Sequence, residues 1–348
     1  MRKMPDIGRR GCLVATGAAL VAATPGTGLV RQAQAQAPVK GVGTLTVLQA
    51  AVALAGGPFL AAVTLDTFKA YGLTVELGPR MAGSGAVISA LAGRHADLGY
   101  VGVTPAFDAM LQGVPVQVVD VLTWTVLDLS LRTAVSAKLS IPADAPVDQK
   151  FKALKGLTIA SSEPGGSSSL TLQALLRRYG ADGVNVMPAD QLSTMSGLRQ
   201  GRFDGGFWSP GTMEANYSDG SARKWIEVRK EVPGYDSLML GAIVGLRDLN
   251  TKKPEALKAF VAGVRDAGKA IERNPDEVAK AVKGRFFPHM PEGEFLGGWN
   301  SMLTGMNLDG SISPTQFKEH LRLQGELFKK NYDSITYDQA IYSGIRKP

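Results

Sequence analysis

From Thr44 onward the chain alternates short β-rich runs with amphipathic helical patterns, and it does so in two series. That alternation confines it to an α/β fold on largely parallel sheets. The first series predicts strands at Thr44–Gln49, Leu73–Leu77, Asp97–Val101 and Val116–Leu122. Pro58 suits the first turn of a helix running to Tyr71, with Phe59, Val63 and Phe68 toward the sheet and Gly72 ending it. Helices are also expected at Ala86–Ala92 and Pro105–Leu111.

The second series predicts strands at Leu157–Ser161, Val184–Met187, Phe203–Trp208, Trp225–Val228 and Leu238–Leu246, with a helix at Ser168–Tyr179 stopped by Gly180. Between the two series, Ile141–Lys155 carries Pro142, Pro146 and mixed charge, and reads as a surface connection. Pro233-Gly234 reads as a return crossing. The remainder is helical, at Pro254–Arg273, Pro275–Lys283, Glu292–Met302 and Pro314–Lys330, and is expected to complete the coat of the first lobe. These helices are assigned no chemistry.

Ahead of this lies a leader. Arg2, Lys3, Arg9 and Arg10 precede a weakly apolar run from Leu13 to Ala23, the layout of a cleavable export signal. The run is far shorter than the roughly 20 residues that span a bilayer. Arg9-Arg10 with Leu13 resembles a twin-arginine signal, although Cys12 and Val14 depart from that motif, and this route is favoured over general secretion. Ala33, Ala35 and Ala37 offer two cleavage sites, and Pro38 disfavours the second, so residues 1–35 are read as signal peptide and Gln36 as the mature start. The chain is therefore expected in the periplasm. Cys12 lacks the preceding apolar stretch of a lipoprotein signal.

Removing the leader leaves 33 basic and 30 acidic residues, a net charge of +3. So mild a balance, spread along the chain, gives no basic face for nucleic acid. Cys12 is the only cysteine, so the mature chain has none and its stability must come from its core. His95, His289 and His320 stand far apart, and no metal site or cofactor is indicated. Gly78–Ser84 lacks the lysine of a phosphate-binding loop, and no nucleophile elbow or paired catalytic carboxylates stand out.

Helix N-termini carry unpaired N–H groups and the positive end of the helix dipole, so small-residue loops before helices suit anions. Two such loops follow predicted strands, where open α/β sheets bind ligands. Ser84 and Gly85 form one; Gly166 and Ser167, with Ser162 just upstream, form the other. Helix capping by the serines explains each loop singly at least as well. Thr104, after the third strand, is a further hydroxyl candidate that a cap explains equally, and Gln49 ends the first strand facing the same cleft. Arg80 offers a fixed charge and a bidentate fork, against the reading of a solvated surface arginine. Trp208 is placed as a wall or stacking surface, and otherwise belongs to the core.

Several consecutive pieces carry a family resemblance. Gly83-Ser84-Gly85-Ala86-Val87-Ile88 followed by Ala96-Asp97-Leu98-Gly99-Tyr100-Val101-Gly102, then Lys155-Gly156-Leu157-Thr158-Ile159-Ala160 leading into Gly165-Gly166-Ser167-Ser168, and Phe207-Trp208-Ser209-Pro210, resemble the periplasmic substrate-binding proteins of nitrate, sulfonate and taurine-type ABC importers. Ser209 departs from the pattern, where an acid often stands. The resemblance implies two Rossmann-like α/β lobes of the type II periplasmic-binding-protein fold, with a ligand cleft between them and two crossovers joining them. Residues 36–128 and 236–348 would form lobe 1 and 129–235 lobe 2, with hinge strands near Leu127–Arg132 and Glu231–Leu238.

The implied function is capture of a small, anionic organic solute (a sulfonate, carboxylate or nitrate-like anion) by a monomer that delivers it to an ABC permease. Two alternatives stay open: a periplasmic enzyme on the same scaffold, or a sensor docking on a signalling partner. Related enzymes on this scaffold use cysteine, which the mature chain lacks. The chain is therefore read as a binder without catalytic residues.

Overall fold

The computed structural model describes residues 41–142 and 144–347; the Arg9-Arg10 pair, Cys12 and Gln36 lie outside the described residues. Ten strands follow in chain order: β1 (Gly43–Gln49), β2 (Leu73–Arg80), β3 (Leu98–Gly102), β4 (Val116–Trp124), β5 (Asp128–Arg132), β6 (Thr158–Ser161), β7 (Asn185–Pro188), β8 (Gly205–Trp208), β9 (Ala222–Glu227) and β10 (Met239–Leu246). They build two five-stranded sheets, ordered β2-β1-β3-β10-β4 and β7-β6-β8-β5-β9. β10 is buried along its whole length and reads as a continuous apolar run; β4 is buried up to its last residue too, although it carries Gln117 and Asp120.

The sheets share one plan. β1 runs parallel to β2 and β3, as β6 does to β7 and β8. In each sheet, however, one strand enters antiparallel to both its neighbours: β10 between β3 and β4, and β5 between β8 and β9. Each of these two strands arrives directly from the other sheet. The largely parallel sheets expected from the alternation are thus mixed, because a strand crossing from outside runs against the βαβ series it joins.

The chain passes between the sheets twice, after β4 and again between β9 and β10. The crossings are tied together: Thr125 N–H and Oγ1–H both donate to Leu238 O at 2.7 and 2.8 Å, and Val228 N–H donates to Leu127 O at 3.0 Å. Asp128–Arg132, part of the expected hinge strand, pairs with β8 and, with an irregularity between Leu129 and Ser130, with β9. The first crossing is therefore short.

Three helical expectations change. The helix from Pro58 breaks at Asp66, which adopts φ 53°, so a helix Gly57–Leu65 is followed by a 3-10 turn Thr67–Tyr71 that Gly72 closes at φ 69°. The stretch 141–155 is not purely surface: it holds a short helix, Val147–Lys152, and Phe151 and Leu154 are fully buried. Residues three apart fall on one helical face, which is how two apolar side chains in a polar segment reach the core. The C-terminal helices also do more than coat the first sheet. Helix Pro314–Phe328 packs on helix Ser167–Arg178 of the second sheet, where Arg177 Nη2 donates to Leu327 O at 3.0 Å, and helix Glu292–Leu303 packs on Glu214–Ser218.

The long helix Pro254–Arg273 anchors the first sheet's core. Its Phe260 ring lies 6.0 Å from Phe59 and 5.1 Å from Phe68, so the helix and the broken segment beneath it share one aromatic cluster.

Candidate functional site

A cavity of about 130 Å³ opens where the strand ends of the two sheets converge. From the first sheet it is walled by Ala50 after β1, Gly83 and Ser84 after β2, and Tyr100 and Gly102 of β3; from the second by Ser162 and Glu163 after β6, Gly166 and Ser167 beyond them, and Trp208 and Ser209 at the end of β8. Space of this size suits a handful of non-hydrogen atoms.

Two helices begin at the cavity. Helix Ser84–Ala92 starts two residues earlier than its apolar pattern suggested, because Gly83 at φ 90° turns the chain sharply out of β2. Ser84 Oγ does not cap its own helix. It accepts the N–H of Gly102 at 3.0 Å and so ties the end of β3 to the helix start. On the opposite wall, helix Ser167–Arg178 follows Gly166, and Ser162 Oγ accepts the N–H of Ser169 at 3.2 Å. Ser162 thus serves as the side-chain partner of this helix end. Ser167 Oγ is nine-tenths buried, lines the cavity and has no hydrogen-bond partner. A buried hydroxyl left unpaired costs stability unless something in the cavity meets it.

Two aromatic walls are fixed in place. Trp208 Nε1–H donates to Thr194 Oγ1 at 3.2 Å, and Thr194 Oγ1–H in turn donates to Asp190 O at 2.8 Å, so the indole is held by the helix Gln191–Gln200. The Tyr100 ring lies between Gly56 and Gly241, at each of which an added Cβ would approach it within 3.1 to 3.3 Å. Burial pushes the Tyr100 phenol well above its ordinary range, so it stays neutral.

Of the candidates named from sequence, Ser84, Ser162, Gly166, Ser167 and Trp208 meet at this cavity. Four do not line it. Gln49 is buried beside it with Oε1 unpartnered. β2 runs on to Arg80, whose side chain is exposed and does not line the cavity. Gly85 faces solvent because its helix begins at Ser84. Thr104 is buried inside helix Val103–Leu111, which starts ahead of Pro105. Tyr100, Glu163 and Gln191 line the cavity without having been singled out. Glu163 immediately precedes the Pro-Gly-Gly turn, a position from which a side chain at a helix approach could have been noticed.

The electrostatics are unusual for an anion site. Among the lining residues only Glu163 and Tyr100 are ionisable, and there is no Lys, Arg or His. Positive potential comes instead from the two helix starts. Among the described residues no cluster of His, Cys, Asp and Glu suits a metal, and no helix is long and apolar enough to cross a membrane.

The fold has known counterparts. A family profile described as NMT1/THI5 like matches residues 55–278. The chain belongs to the NMT1/THI5-like family. Its architecture is that of the periplasmic binding proteins: a Bordetella bronchiseptica RB50 protein superposes with a TM-score of 0.70 at 17% identity, covering 86% of this chain and 94% of that one. The alkanesulfonate-binding protein SsuA of Xanthomonas axonopodis pv. citri, solved bound to MOPS, gives 0.65 at 15% identity over 87% and 98%. A DszB variant in complex with biphenyl-2-sulfinic acid gives 0.59 at 12% identity over 87% and 97%. No curated protein sequence matches the chain.

Within this NMT1/THI5-like chain the cavity supplies hydroxyls, backbone donors and aromatic faces. Its lining holds no histidine, lysine or cysteine, and Glu163 is its one carboxylate. Such a set can orient and desolvate a small polar molecule.

Proposed function

We propose that this protein is the solute-binding component of an ABC importer, exported to the periplasm after loss of residues 1–35, and that it works as a monomer handing its ligand to membrane permease subunits. The ligand is a small organic acid or oxyanion of the sulfonate, carboxylate or nitrate class. Lobe 1 comprises residues 36–128 and 236–348 and lobe 2 residues 129–235, with closure pivoting on the paired crossings.

One observation carries the reading: Ser167 Oγ, buried and unpartnered, stands beside the first-turn N–H groups of its own helix and faces the start of helix Ser84–Ala92 from the other sheet. Donors on two separately folded layers that converge on one cavity are matched by an acceptor atom held between them. The hydrogen-bonded crossings support a fold in which few residues absorb the movement of one layer against the other.

Thermal-shift and calorimetric titration of the purified protein against sulfonates, carboxylates and nitrate tests this. Saturable one-to-one binding without chemical change of the ligand is expected. Conversion of a bound compound would instead favour an enzyme, and silence across the panel would sink the proposal.

A further inference from the structure

The only charged side chain lining the cavity is acidic, which a site for simple anions does not require. Glu163 belongs to the loop after β6, yet its carboxylate reaches across to the first sheet. A Cβ added at Gly83 would lie 2.5 Å from Glu163 Oε1, and one added at Gly166 would lie 2.8 Å from the same oxygen. Gly83 and Gly166 are the N-cap residues of the two helices that point into the cavity. The carboxylate therefore stands close to both helix starts.

Glu163 is not engaged as a capping anion there. Its backbone carbonyl accepts the Gly166 N–H at 2.9 Å, but among the described residues its carboxylate accepts no hydrogen bond and joins no ion pair, whereas the Glu214 carboxylate accepts the Gly211 N–H at 2.7 Å. Its hydrogen-bonding capacity is free, and it borders the same space as the unpartnered Ser167 hydroxyl. Two kinds of donor and one strong acceptor thus face a single small cavity that contains no basic side chain. An anion placed against the helix starts would meet a neighbouring negative charge with no basic side chain among the lining residues to offset it, whereas a positively charged or N–H-bearing group on the same ligand would compensate it.

We infer that Glu163 is a specificity-determining residue that selects against ligands of net negative charge, so that the preferred solute carries an ammonium or amidinium group opposite its acidic end. This rests on the proposed binding of a small acid at the helix starts and adds the ligand's second pole. Ser167 and the helix N–H groups take the acidic end, and Glu163 takes the cationic nitrogen.

The test is calorimetric titration of the purified protein and its Glu163→Gln and Glu163→Asp variants with matched probes: propionate against β-alanine, and propane-1-sulfonate against 3-aminopropane-1-sulfonate. The unmodified protein is expected to bind the amino member of a pair about tenfold more tightly, the scale of one compensated charge in partly solvated surroundings. Glu163→Gln should erase that preference mainly by tightening the plain anion and weakening the zwitterion, Glu163→Asp should keep its sign, and the melting temperature of each unliganded variant should stay near the original. Plain anions binding as well as their amino partners, or a preference that survives Glu163→Gln, overturns the inference while leaving acid binding intact. No binding of any probe by any of the three proteins overturns the acid-binding reading and the inference with it.

Discussion

A Cβ on Gly102 would sit 2.5 Å from Ser167 Oγ, although Gly102 ends a strand of the first sheet and Ser167 opens a helix packed on the second. Gly102 ends β3 and its N–H is already held by Ser84, so hydroxyls from both walls flank this one residue, and a side chain on it would press on them. The approach of the two layers is thus written into Gly102.

Gly102→Ala is expected to hold the layers apart by the width of a methyl group. Its φ of −67° is open to any residue, so backbone strain does not enter. The unliganded melting temperature should change little, while affinity for acids that bind the parent protein should fall by an order of magnitude or more. Equal affinity in calorimetry would mean that the two walls need not close to this distance around the ligand.

The two serines of the second loop separate capping from binding. Ser162→Ala removes the partner of Ser169 N–H and should cost about 1 kcal/mol of stability in chemical denaturation. Ser167→Ala removes a hydroxyl with no internal partner, so stability should be unchanged or slightly higher, while binding of a charged ligand should weaken by about 1.5 to 3 kcal/mol. A lowered melting temperature with intact affinity in Ser167→Ala would assign that hydroxyl to the helix instead.

Much of this was legible from sequence. The runs Thr44–Gln49 and Val116–Leu122 and the glycine stops after the helices mark their elements within a few residues, because β-branched and apolar side chains dominate both strands. The serine and glycine loops that reach the cavity were legible for the same local reason. Arg80, Gly85 and Thr104 do not line the cavity, and each lies at a shifted boundary: β2 extends three residues past Leu77, and helices begin at Ser84 and Val103 rather than two residues later. At a helix start, two residues turn a side chain to another face. The reach of Glu163 to Gly83, and the antiparallel entry of β5 and β10, are relations between distant segments that no local pattern encodes.

Glu214 predicts a pH dependence. Burial, its leading influence, pushes its carboxyl up to about 7, against the opposing hydrogen bonds from the backbone N–H groups of Glu214 and Gly211. A raised folded value means that the protonated form is favoured by folding, so this group's contribution is fully present below the usual glutamate value near 4.5 and is lost as pH rises through about 7. Glu214→Gln should remove that slope. In denaturant titrations the variant should match the parent near pH 4.5 and exceed it by on the order of 1 to 3 kcal/mol at pH 8. Parallel curves at both pH values would show that the carboxylate is well accommodated when charged.

Arg177 reports on the lobes from the other side. Helix Ser167–Arg178 starts at the cavity and ends where Arg177 Nη2 donates to Leu327 O of helix Pro314–Phe328. Arg177→Ala removes one charge-assisted tether outside the cleft, which should favour a more open form. Small-angle scattering of the unliganded variant should give a larger radius of gyration than the parent, with the two converging on saturation by ligand. Identical radii without ligand would show that the contact does not restrain the layers.

The central claim is that a small acid is held between the two sheets by donors from both. A crystal structure of the protein with the tightest-binding acid from the titrations tests it most directly. The account predicts density in the cavity bounded by Tyr100 and Trp208, with the acid's oxygens within hydrogen-bond distance of Ser167 Oγ and of first-turn N–H groups of helices Ser84–Ala92 and Ser167–Arg178. A ligand bound elsewhere on the surface, or held by one wall alone with Ser167 Oγ still unpartnered, would contradict it.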